Sequence, residues 1–261
     1  MRSGLISVRL AAAIVTLGLI GSPVVLAQDR QAPAAVEPAA ERYTSRREHD
    51  RDGIGKFYMG REIARVMGHQ GISWLERPER EEEERLTLLM EAIKLKPGMQ
   101  VADIGAGSGV ISVMIAKRIG DGKVFAVDIQ QEMLDALEEK CRMEKVTNVH
   151  PVLGTTQSPR LDAGSIDLAI MVDVYHEFDF PYEMLREMST SLKPDGRIAF
   201  VEYRKEDPTV PIKLVHKMSE SQVRKEAALP ELGLTWQETV GTLPRQHVVI
   251  FRKGAAIPAA R

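Results

Sequence analysis

Strand-like and helix-like patterns alternate along residues 85–203, and that alternation restricts the fold more than any other property of the chain. Leu86, Leu89, Met90 and Ile93 fall at i, i+3, i+4 and i+7 and mark one face of a helix. The breaker KLKPGM follows, then a strand at about 100–104. Ile111, Met114, Ile115 and Ile119 define the next helix, closed by Gly120, Asp121 and Gly122. KVFAVDI reads as a second strand, QQEMLDALEEKCRMEK as an amphipathic helix and NVHPVL as a third strand. SIDLAIMVDV is apolar on both faces, as a central parallel strand must be. PYEMLREMSTSL is a helix with Pro181 near its start; KPDG is a turn before RIAFVEY, the fifth strand. Such alternation implies a parallel sheet covered by helices on both faces.

The end of the chain departs from this rhythm. After a helix near 218–228, LTWQETV and QHVVIFR are separated only by GTLPR, too short for a parallel crossover. The two strands are expected to pair as an antiparallel hairpin at one edge. The expected fold class is therefore α/β: a doubly wound, mostly parallel seven-stranded sheet over residues 85–253, with a C-terminal antiparallel hairpin and a tail at 254–261.

The first strand runs into VADIGAGSGV, residues 101–110, where Gly105, Gly107 and Gly109 alternate with small residues behind Asp103. In a doubly wound sheet, ligands bind outside the carboxyl ends of the strands. The dinucleotide fingerprint Gly-x-Gly-x-x-Gly is not met, because Val110 stands where its third glycine belongs. No Gly-Lys-Ser/Thr follows either, which excludes a phosphate-binding loop of that kind. Asp128 ends the second strand, where an acid can accept hydrogen bonds from both ribose hydroxyls of a nucleoside.

Asp103 with its three glycines, Asp128 and the closing hairpin resemble the class I S-adenosylmethionine-dependent methyltransferases, with the Rossmann-like fold of that family. LKPDGRIAFVEYR is similar to the family's segment around the fifth strand. The leader GREIARVMGHQGISWLERPERE resembles that of uncharacterised exported bacterial members. The resemblance implies S-adenosyl-L-methionine as cofactor. It places the backbone of Gly105 and Gly107 against the methionine part, with Asp103 ordering that end. It also places Asp128 on the ribose and Asp173 near the cationic methionine end. Thr155 and Thr156 are the candidates beside the adenine, where the family often has an acidic or polar residue. Strand-end helix capping is the competing reading for Asp103 and Asp128, and a loop turn for Asp173.

Methyl transfer from a sulfonium needs donor and acceptor held in line, and a base only where the acceptor must lose a proton. DVYHEFDFPY, residues 173–182, is expected to overhang the methyl group. His176 is the base candidate, its ordinary pKa lying near neutrality. Glu177 is a second candidate or the group that orients His176. A backbone hydrogen bond at the loop is the competing role for His176. Tyr175, Phe178, Phe180 and Tyr182 are read as an acceptor pocket or as core; Glu202 and Tyr203 stand at the end of the fifth strand. His69, His216 and His247 read as lone structural histidines, and no metal site is expected. RPEREEEERL reads as a solvated helix face whose acids suit the helix dipole.

Composition narrows the partners. With 35 Lys and Arg against 37 Asp and Glu, the net charge is -2 and no basic footprint for nucleic acid stands out. Cys141 is the single cysteine, so neither an internal disulfide nor a multi-thiolate metal site can form; it reads as part of the apolar stripe of its helix. DVYHEF is not the Asn/Asp-Pro-Pro-Tyr/Phe signature of methyltransferases acting on planar amino groups. The acceptor is expected to be a small molecule. The alternative is a non-catalytic exported binding module on the same fold.

Residues 1–27 carry Arg2 and Arg9, an apolar run from Leu10 to Ile20 and small residues ending at Ala27, the three-part pattern of a secretory signal peptide. That run is shorter than the about 20 residues a membrane span needs, so no membrane association is expected after cleavage. The chain is expected to be exported, periplasmic or secreted, and cytoplasmic only if the start site is misassigned. Residues 28–53, rich in Ala, Pro and charge, are expected to form a disordered linker. Residues 54–84 are expected to form a helical lid that includes Trp74.

Overall fold

The computed structural model describes residues 42–254. The expected signal peptide, most of the linker and nearly all of the C-terminal tail lie outside these residues. Among the described residues, no helix is long and apolar enough to cross a membrane.

The elements are, in chain order, β1 (Tyr43–Ser45), β2 (Gly53–Tyr58), β3 (Arg61–Ala64), α1 (Ile72–Leu75), α2 (Arg80–Glu84), α3 (Leu86–Ala92) and β4 (Gln100–Ile104). Then come α4 (Val110–Ile119), β5 (Lys123–Asp128), α5 (Gln131–Met143), β6 (Val149–Leu153), β7 (Ile166–Val172), α6 (Pro181–Ser191) and β8 (Leu192–Tyr203). The chain closes with α7 (Glu220–Ala227), β9 (Leu234–Val240) and β10 (Gln246–Lys253).

Seven strands form one sheet in the order β6-β5-β4-β7-β8-β10-β9. The first five are parallel, while β10 runs antiparallel to both β8 and β9. The expected fold class is therefore the observed one, with the last strand of the hairpin lying inside its partner. Along β7 the side chains divide by parity: Leu168 and Ile170 enter one core, Ala169 and Met171 the other. Both faces are covered, which is why this strand is apolar throughout. The KPDG turn is absorbed as a bulge. Ile166 pairs with Leu192 but Leu168 pairs with Arg197, and Asp195 takes φ +66° inside the extra loop.

The N-terminal part differs from expectation. Residues 43–64 are neither linker nor helical lid but a three-stranded antiparallel sheet, β1-β2-β3. Its order comes from tertiary contacts that local periodicity does not announce. Tyr58 and Ile63 are buried in the core that α6 and α7 also cover. The Lys56 ammonium sits 3.4 Å from the centre of the Phe180 ring, and the Tyr43 hydroxyl donates to Glu183.

The strongest tie is ionic. Arg61 donates through Nε (2.7 Å) and Nη2 (3.1 Å) to the fully buried carboxylate of Glu226 on α7. Tyr175 donates its hydroxyl to the same carboxylate at 2.7 Å. Removing one partner of such a pair strands the other charge in the interior. Glu226→Ala is expected to destabilise the fold by about 3–5 kcal/mol in urea unfolding. Lys213→Ala, which removes an exposed pair with Asp52, is expected to cost far less. Equal losses in the two variants would refute the assignment of Glu226 as the anchor of the N-terminal sheet.

Candidate functional site

The strand order reverses between β4 and β7, and the crevice at their carboxyl ends is where a ligand fits a doubly wound sheet. Register puts Ile104 of β4 beside Val127 of β5 and Met171 of β7, so the three following loops emerge at one level. Between them lies a cleft enclosing about 790 Å³, mouth included. Gly105, Gly107, Asp128, Thr155, Thr156, Asp173 and Glu177 line it.

The glycine loop is shaped by close approach. Gly105, Gly107 and Gly109 have φ of +73°, +54° and +83°, where a side chain is strained. A Cβ on Gly105 would stand 2.5 Å from the Val174 side chain, and one on Gly107 2.7 Å from Leu75. The N–H groups of Gly105 and Ala106 both donate to the Val127 carbonyl, at 2.8 and 2.9 Å, which straps the loop to the end of β5. One residue further on, Asp128 accepts the Gly107 N–H on Oδ2 and the Gln130 N–H on Oδ1, each at 2.9 Å. Each oxygen retains acceptor capacity for a further donor in the cleft.

Asp103 occupies a smaller adjoining compartment of about 310 Å³ with Gly105, Arg80 and Leu75. Its Oδ2 accepts the Ser112 hydroxyl at 2.6 Å. Burial pushes its pKa up to about 6, against the lowering effect of Ser112 and Arg80. Burial also raises Asp128, opposed by the N–H groups it accepts. Asp173 is held well above the usual carboxylate range by burial first, then by Glu84 and Glu202. It takes a left-handed φ of +53° and receives Gln246 Nε2 at 2.9 Å on Oδ2. Its Oδ1 is buried with no hydrogen-bond partner among the described residues.

The residues expected over the methyl group divide. Glu177 lines the cleft, and burial raises its pKa to about 7. His176 does not line it; the side chain is buried, with Nδ1 2.6 Å from Glu202 Oε2. Burial pulls the His176 pKa down, but Glu202 overcomes this and raises it. Glu202 also accepts the Tyr175 N–H at 3.0 Å, so it organises this turn from beneath. Of the four aromatic candidates only Phe178 lines the cleft. Tyr175 is buried against Phe200, Phe180 meets Lys56 and Tyr43, and Arg42 covers Tyr182. Tyr203 lies off the cleft and donates to Glu84 at 2.8 Å.

Two features escaped the sequence, the clamp made by Gln130 and the buried Arg80–Glu84 pair, while the expected lid is met in part. The segment 66–75 does contribute Val66, Met67 and Leu75 to the cleft, but Trp74 is 45% exposed and stacks under Arg77. Gln130 clamps this segment, accepting the His69 N–H and donating to the Met67 carbonyl, both at 2.9 Å. The acidic run is not wholly a solvated face, because Arg80 and Glu84 are buried and paired at 2.9 Å. Arg80 faces the Asp103 compartment and is the group there suited to a carboxylate. A buried Arg four residues before a buried Glu carries no sequence signal distinct from a surface pair.

These residues fit S-adenosylmethionine. The glycines leave room for close backbone approach, Asp128 offers oxygens to vicinal hydroxyls, and the unpartnered Asp173 Oδ1 and Asp103 favour a cation beside Arg80. Comparison with known proteins agrees. Residues 101–196 match the family described as a methyltransferase domain. An uncharacterized methyltransferase of Bacillus subtilis, YcgJ, is 26% identical over 159 residues, covering 60% of each chain. An uncharacterized methyltransferase of Mycobacterium tuberculosis is 32% identical over 102 residues, 39% of each chain. The chain spans from 33% to 60% of the length of such curated relatives. A crystal structure of a SAM-dependent methyltransferase from Aquifex aeolicus matches with a TM-score of 0.67 and 25% identity, over 72% of this chain and 100% of that one. Residues 101–196 thus match a methyltransferase domain, the chain has the fold of the class I S-adenosylmethionine-dependent methyltransferases, and the matched family and structural neighbours imply S-adenosylmethionine as the cofactor.

Proposed function

We propose that the chain is an S-adenosylmethionine-dependent methyltransferase acting on a small-molecule acceptor. The observation that carries this reading is Asp128 at the end of β5, its carboxylate fixed by the Gly107 and Gln130 N–H groups inside the cleft. The bound cofactor supplies an activated methyl group on a sulfonium. The work of the protein is then to hold and orient. Asp128 binds the ribose hydroxyls, and Thr155 and Thr156 stand at the base end of the cleft. Asp103 and Arg80 hold the ammonium and carboxylate of the methionine, and Asp173 places negative charge close to the cationic centre.

Glu177 is the group positioned to take a proton from an acceptor, since it lines the cleft and its pKa lies near neutrality. His176 braces it from the side: its Nε2 lies 3.9 Å from Glu177 Oε1. Export of the chain rests on the pattern of residues 1–27 and is checked by the mature N-terminus, expected at Gln28. An N-terminus at Met1 in the cell-associated fraction would remove that part of the reading.

Calorimetry with S-adenosylmethionine and S-adenosylhomocysteine tests the donor site. Micromolar binding is expected, weakened at least ~10-fold, or about 1.4 kcal/mol, by Asp128→Ala. No binding to a folded, monodisperse sample would favour the non-catalytic module instead.

The raised carboxylates give a pH signature. A group whose folded pKa lies above its unfolded value prefers the protonated folded state, so its ionisation destabilises the fold. Asp103 and Glu177 are therefore each expected to withdraw stability from the ligand-free protein as pH climbs from about 4 to about 7. That contribution is read as the difference from Asp103→Asn, because burial of His216, which holds its pKa down to about 4, acts in the opposite sense. Cofactor affinity is expected to rise over the same window, because a cationic ligand prefers the ionised carboxylates. Asp103→Asn should flatten the lower part of both profiles. Thermal unfolding and calorimetry at matched ionic strength read the two, and parallel rather than opposed trends would contradict the electrostatic account.

A further inference from the structure

We propose that His176, Glu177 and His216 form a binding site for a divalent transition metal of the zinc type at the wall of the cofactor cleft. The three come from two separate turns: Tyr175–Glu177 after β7, and Leu214–His216 between β8 and α7. One ligand atom from each lies within 4.8 Å of the other two. Glu177 Oε1 is central, 3.9 Å from His176 Nε2 and 3.7 Å from His216 Nδ1. The two imidazole rings stand nearly perpendicular, at 86°, with centroids 5.2 Å apart. Bonds of about 2.0–2.2 Å to N and O require tetrahedral ligands about 3.3–3.5 Å apart, so each histidine must close on Glu177 by a few tenths of an ångström, and the two imidazole nitrogens, within 4.8 Å of each other, must also draw together around an ion.

The surroundings match what a metal site requires beyond its ligands. Glu202 can only accept a hydrogen bond when ionised, so in the neutral ring the proton of His176 sits on Nδ1 and the Nε2 lone pair is left for an ion, which must displace the second proton that Glu202 otherwise favours. That is the carboxylate–histidine support found behind metal-bound imidazoles. His176 Nε2 makes no hydrogen bond among the described residues, and Glu177 Oε2 is steadied by the Met67 N–H at 3.3 Å. Two imidazoles and one carboxylate, with no sulfur, suit zinc and its neighbours better than magnesium or calcium, which favour all-oxygen shells.

Three protein ligands leave a coordination position free, and Glu177 also lines the cleft. A metal here would hold an acceptor through an oxygen or sulfur atom and lower that atom's proton affinity; with Glu177 then engaged as a ligand, the proton would leave to solvent and not to Glu177. This consequence, which narrows the acceptor to a hydroxyl or thiol compound, rests on the methyl-transfer reading; metal binding itself does not.

The full chain, stripped with a chelator, is titrated with Zn²⁺ against a chromophoric indicator and with Co²⁺ for its visible absorption. One equivalent is expected to bind with a dissociation constant below about 1 μM. His216→Ala and Glu177→Gln should each weaken binding at least ~10-fold, and His150→Ala, on β6, should leave it unchanged. His216 is partly exposed, so its variant is expected to fold, with circular dichroism and thermal unfolding as the check. Binding weaker than about 100 μM, or full binding retained in folded His216→Ala, overturns the proposal. S-adenosylhomocysteine binding is measured on the same samples. Its survival without metal binding defeats the metal site alone; its loss with metal binding intact defeats the cofactor reading alone.

Discussion

The arrangement depends most on buried negative charge gathered at one edge of the sheet. Asp103, Asp128, Asp173 and Glu177 come from the ends of three adjacent parallel strands or the turns that follow them. Each is withdrawn from water, and each has its ionisation suppressed mainly for that reason. Arg80 is the cation that shares this edge, and Glu84 already claims part of its charge. A positively charged occupant would favour the ionised forms of these carboxylates. A sulfonium with an adjacent ammonium supplies that charge, which ties ligand identity to the same terms that weaken the empty fold.

Rigidity around the cleft comes from the backbone more than from side chains. The Val127 carbonyl takes two loop N–H groups, and Asp128 takes two more on either side of the turn. Gln130 and Glu177 then reach across the opening to the strap at residues 67–69. The segment at residues 67–69 is thus braced from two sides, by the turn after β5 and the turn after β7.

The parallel domain was legible because its signals are local. Period-3.6 helices, a strand apolar on both faces and a short connection before the last strand each identify their own element. The glycine loop and Asp128 were legible for a different reason: close approach and strand-end acids recur wherever this sheet holds a nucleoside. The N-terminal sheet was not, because GIGKFY and REIA are short, carry charges and gain order from Arg61, Lys56 and Tyr43 meeting groups more than a hundred residues away. His216 was read as a lone histidine since nothing in LVHK marks its approach to residues 176 and 177. Long-range pairing of this kind leaves no periodicity to read.

The position of β10 ties the edge of the sheet to its interior. It is the last described strand in chain order, yet it lies between β8 and β9 rather than at the rim. Val248 through Phe251 pack into the two cores as well as bridging those strands. Without β10, β8 would have an open edge and β9 no partner in the sheet, and both cores would lose apolar cover. Loss of residues 246–253 would remove an interior beam instead of trimming a margin.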